Sequence, residues 1–218
     1  MSEFTRAEVV RSRKRRRRVP AAIIAALGGS ALLSLSLTGT LSGFVASIAN
    51  STNTAATGTL IMQEQNSGQT VTCLSTDGGS ISTNAATCTT INKFGGSTTM
   101  VPGGTGITTD ITIKNTGTAT ASTFSLTPGA TCTKSNNGTL NGTATDICDK
   151  MNIAITSDGT SVFSGTLEDL AGHAAFALSS VAPGASVPFR FVVTLDSTAG
   201  NTYQGLAASV PLTWSFAS

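Results

Sequence analysis

Four cysteines, a single histidine and two neighbouring aspartates are the residues of this 218-residue chain with the clearest potential for chemistry. Cys73, Cys88, Cys132 and Cys148 contain no CxxC pair and fit no zinc spacing. In an oxidising compartment an even set of this kind reads as two disulfides. Of the three connectivities, Cys73–Cys88 with Cys132–Cys148 is preferred; each pair closes a loop of roughly 15 residues, worth about 3 kcal/mol in the chain-entropy model. His173 stands alone. Without HExxH or a second histidine, the usual ligands of a zinc protease cannot be assembled, and no GxSxG elbow offers a nucleophile. His173 therefore reads as a surface or turn residue. Asp146 and Asp149 flank Cys148, but no calcium-loop pattern surrounds them, and they read as solvated loop charges. No catalytic, cofactor-binding or metal-ligating residue is assigned, and the chain is expected not to be an enzyme.

The segments that would position these residues are rich in Thr, Ser, Val and Ile, with Gly and Asn as punctuation. Alternation is clearest from Val187 to Leu195, where Val187, Phe189, Phe191, Val193 and Leu195 would share one strand face. Ile107, Ile111 and Ile113 belong to another run, closed by Lys114-Asn115-Thr116-Gly117. Further strands are expected at 58–65, 69–74, 87–92, 119–126, 151–156, 160–165, 174–180 and 206–217. Ser157-Asp158-Gly159-Thr160 reads as a hairpin turn, and Pro102-Gly103-Gly104 and Pro183-Gly184 as two more turns. The one helical candidate is short, about 167–171. Many short strands between regular turns predict an all-β domain over 58–218, a β-sandwich of the Greek-key or jelly-roll kind.

The N-terminus addresses the compartment. Residues 1–18 carry eight of the thirteen basic residues, and an uncharged, apolar stretch follows over 19–43. A basic block, an apolar run and then small residues is the layout of a helical signal peptide, residues 1–43. An uncleaved membrane anchor is the main competing reading, because the run is long enough to span a bilayer. Its Gly, Ser and Thr content favours cleavage. A basic nucleic-acid-binding tail would not carry so long an uncharged stretch behind it. Residues 44–218 keep five basic residues against nine acidic ones, a net charge of −4, which excludes a nucleic-acid-binding domain as the leading class.

Past the signal, Phe44-Val45-Ala46-Ser47-Ile48-Ala49-Asn50-Ser51-Thr52 leads through a polar stretch to Gly58-Thr59-Leu60. Val101-Pro102-Gly103-Gly104 precedes the strand that ends in Asn115-Thr116-Gly117, and Tyr203-Gln204-Gly205 leads into a closing strand, Val210 to Phe216. In this order, over essentially the whole mature chain, these segments resemble the TasA/camelysin family of exported proteins, and the Arg-rich start looks most like its actinobacterial members. The resemblance implies cleavage between Gly43 and Phe44 by a signal peptidase of the SipW type. It also implies a secreted jelly-roll subunit that self-associates into cell-surface or biofilm-matrix fibres. Residues 44–57 would form a donor strand, with Phe44, Val45 and Ile48 entering a neighbour's groove. The cysteines and the Gly/Thr-rich insertions around 73–95 and 130–148 go beyond the family core, and His173 alone gives no support to the metallopeptidase label the family has carried. A monomeric secreted or cell-surface binding module is the alternative expectation, and a camelysin-like metalloprotease a distant third.

Overall fold

The structure, a computed structural model, describes Ile48 and residues 53–218. The chain divides into two units, Met1–Ala55 and Ala56–Ser218. Within the first, Ile48 and residues 53–55 are described and are exposed; the signal peptide expected over 1–43, with Gly43, and the donor residues Phe44 and Val45 lie outside the described residues.

The second unit is built from antiparallel strands. β1 (Met62–Asn66), β2 (Thr72–Leu74), β3 (Ile107–Asn115), β4 (Thr123–Pro128) and β5 (Thr133–Asn136) precede a one-turn helix, α1 (Ile147–Lys150). β6 (Met151–Ser157) and β7 (Thr160–Thr166) follow, then a second one-turn helix, α2 (Leu167–Leu170). β8 (Phe176–Leu178), β9 (Ser186–Leu195), β10 (Leu206–Ser209) and β11 (Leu212–Ala217) complete the order. Six strands form one sheet in the order β2-β1-β3-β9-β6-β7, three form another in the order β11-β4-β8, and β10 pairs with β5. Pro128 sits opposite Leu212 and Thr133 opposite Ser209, while the Gly129 N–H donates to the Pro211 carbonyl at 2.7 Å. β10 and β11 thus run as one interrupted strand along β5 and β4.

The alternation in Val187–Leu195 is what fills the interior. Phe189, Phe191 and Val193 are buried, and they sit opposite Ile111 on β3 and Ile155 and Ile153 on β6. Phe124 and Leu126 of β4 supply the facing layer, with Phe124 edge-on to Phe189 at 5.9 Å between ring centroids. Each fully buried side chain of this size contributes about 1.5–3 kcal/mol relative to exposure. The all-β expectation is met, with two sheets packed on a common core. The hairpin at 157–160 has both central residues at positive φ, Asp158 at 47° and Gly159 at 80°, the combination a two-residue type I′ turn demands. α2 matches the expected short helix; Thr166 and Asp169 cap it reciprocally.

Several strand expectations are corrected. Residues 87–92 form no strand: the chain from 79 to 106 is an irregular excursion fixed by a disulfide and an ion pair, and of 87–92 only Ile91 is buried. Strand pairing begins at Met62 and not at 58, and the segment 206–217 is interrupted at 210–211, where Pro211 has no N–H to give a ladder. β5 and α1 were not expected. Every residue of β5 is exposed, so no apolar alternation announces it.

Candidate functional site

Both disulfides have the preferred connectivity. Cys73–Cys88 spans 5.8 Å between Cα atoms and Cys132–Cys148 6.2 Å, ordinary separations for such bonds. The first staples the excursion after β2 to the sheet edge; the second ties the segment before β5 to α1. Two disulfides fit an oxidising compartment. Among the described residues no helix is long and apolar enough to cross a membrane. The Glu168 carboxylate lies near the Cys132 and Cys148 sulfurs, but both sulfurs are committed to each other and cannot act as thiolate ligands.

His173 is an exposed turn residue, as expected. Its ring stacks on Phe176 at 4.4 Å and meets Phe163 edge-on at 5.8 Å, a packing role at the margin where β7 and β8 meet. Asp146 is engaged: the Tyr203 hydroxyl donates to its carboxylate at 2.8 and 2.9 Å. That bond, burial and the nearby charges of Asp146, Asp149 and Asp196 raise the Tyr203 pKa above the usual phenol range. Asp149 is exposed.

Two features carry possibilities for binding. The first is an edge. β11 pairs with β4 on one side, and among the described residues its other side takes no ladder partner. Leu212, Trp214 and Phe216 point inward yet stay half-buried, alternating with exposed Thr213, Ser215 and Ala217. Trp214 lies 4.6 Å from Phe189 and Phe216 4.9 Å from Phe124. The indole N–H of Trp214 is shut off from solvent with no acceptor among the described residues. Of the expected donor residues, the structure describes Ile48, which is 92% exposed. The second is a cavity of about 190 Å³. Its floor is Ile147, Met151, Val193 and Leu195, its wall is β10 with the turn before it, and Phe94 and Met100 of the excursion close over it. The sequence gives no hint of this cavity, because its lining brings together the excursion, the junction of α1 with β6, and the stretch from β9 to β10, segments far apart in the chain.

No family model and no curated protein matches this chain.

Proposed function

We propose that the mature chain is a secreted structural subunit of a cell-surface or biofilm-matrix fibre, a jelly-roll domain that polymerises by donating its N-terminal segment, residues 44–57, to the next subunit. The single observation that carries this reading is the unpaired side of β11, with half-buried Leu212, Trp214 and Phe216 beneath it. An exposed edge of this kind invites β-strand addition, in which main-chain bonds give affinity and alternate side chains give register.

The donor segment suits such an edge. Phe44, Ala46 and Ile48 alternate with Val45, Ser47 and Ala49, and residues 44–57 carry no charged side chain to desolvate. An added strand would cover the apolar face of β11 and bring polar groups close to the unpaired Trp214 N–H. Head-to-tail addition of this sort does not close on itself, so it yields open filaments. Export by a SipW-type signal peptidase, with the TasA/camelysin resemblance, belongs to the same reading.

The test is electron microscopy of purified protein beginning at Phe44, beside a version lacking residues 44–53. Filaments from the first and none from the second are expected. Filaments from both, or monodisperse particles from both, would remove donor-strand polymerisation.

A further inference from the structure

We infer that the cavity beneath the 79–106 excursion is a binding site for one uncharged aromatic ring carrying a single polar substituent, of the phenol or indole class. This inference does not depend on polymerisation, since the cavity is built within the second unit alone.

Size sets the first limit. An apolar cavity of about 150 Å³ takes up benzene, whereas drug-sized pockets run to about 300–1,000 Å³. At about 190 Å³ this one has room for a single ring and a small substituent.

Charge sets the second. Among the residues that line the cavity none is Asp, Glu, Lys, Arg or His. A carboxylate or ammonium placed there would lose hydration with no opposite charge in the lining to compensate it. A charged ligand is therefore disfavoured.

The lining decides between a ring and a sugar. Ile147 and Val193 are 1% exposed and form, with Leu195, an aliphatic floor that offers no hydrogen bonds to a ring of hydroxyls. Apart from the half-buried Tyr203, the polar side chains of the lining belong to exposed residues, among them Asn137 and Gln204, whose amides can meet one substituent. Met100 and Met151 place two thioethers in the lining together with Phe94. Thioethers adapt to irregular shapes and make favourable contacts with aromatic rings. A sugar would bury hydroxyls against Leu195 and Val193; an aromatic ring would not.

The methionines also provide the readout. Met62, Met100 and Met151 are the methionines of the mature chain, and Met62, on β1, does not line the cavity. With methyl-labelled methionine, p-cresol and indole are titrated into the mature protein, beside benzoate and N-acetylglucosamine. Saturable shifts of Met100 and Met151 with p-cresol or indole, with Met62 unmoved, are the expected result. Ala208→Phe, which fills the cavity from its β10 wall, should weaken binding by about tenfold or more, a change of about 1.4 kcal/mol at least. If that variant does not fold, Met100→Ala, at a half-buried position of the excursion, is expected to weaken binding in the same direction. Absence of saturable shifts, equal responses to benzoate or N-acetylglucosamine, or unchanged binding in a folded variant would overturn the inference.

Discussion

The side-chain amide of Asn115 donates to the carbonyl of Val181, 66 residues further along the chain, at 3.0 Å. The same amide donates to the Ala119 carbonyl at 2.8 Å, and its oxygen accepts from the Gly117 N–H at 3.0 Å. Asn115 is completely buried, so this one side chain closes the turn after β3 and locks the approach to β9 beside it. Gly117 fits because a Cβ there would stand 2.3 Å from the Thr59 carbonyl oxygen. Asn115→Ala strands buried partners and should cost about 2–4 kcal/mol, from the penalty of about 1–3 kcal/mol per unsatisfied group. Urea unfolding monitored through Trp214 fluorescence measures it; a loss under half a kilocalorie, well below the penalty for even one stranded group, would contradict this role.

Glu64 and Lys93 form an ion pair of 2.5 Å between β1 and the excursion, with side chains 8% and 11% exposed. Removing one partner from a buried pair leaves an uncompensated charge, which costs about 3–5 kcal/mol. Lys93→Met should therefore destabilise strongly, while Lys93→Met combined with Glu64→Leu should recover much of the loss. A double-mutant cycle checks the coupling. Additive losses would show that the pair does not anchor the excursion.

The disulfides should act locally. Cys73→Ser with Cys88→Ser is expected to lower stability by about 3 kcal/mol. Proteolysis should then fall within residues 79–106, because the staple at that end is gone. Cleavage elsewhere first would contradict the account of the excursion.

Tyr203 is the one tyrosine of the chain, so its ionisation is read directly from the ultraviolet absorbance of the phenolate. The hydrogen bond to Asp146 favours the neutral phenol. The midpoint should lie above that of free tyrosine, about pH 10, and Asp146→Asn should move it down. A raised folded pKa means that the associated stability is present below the ordinary phenol range and is lost as pH rises through the folded value. Stability should therefore decline on the alkaline side, less steeply in Asp146→Asn.

How much of this was legible in the sequence depended on whether the signal was local. The buried face of β9 and the hairpin turn at Asp158-Gly159 follow from alternation and turn chemistry, and the two disulfides from close spacing in sequence. Residues 87–92 mislead, since Thr89, Thr90 and Ile91 favour a strand while the staple at Cys88 and the anchor at Lys93 hold them in a loop. β5 is invisible because Thr133-Lys134-Ser135-Asn136 buries nothing; its strand form comes from pairing with β10. The cavity and the unpaired side of β11 are tertiary facts, set by which strands become neighbours and not by any motif.

The most direct test of the central claim is amide hydrogen exchange along Leu212–Ala217, compared between the chain beginning at Phe44 and the chain lacking residues 44–53. If the N-terminal segment pairs with β11 of a neighbour, these amides exchange more slowly in the longer chain, and the protection grows with protein concentration. Equal exchange along Leu212–Ala217 in both chains at every concentration would contradict donor-strand assembly on this edge.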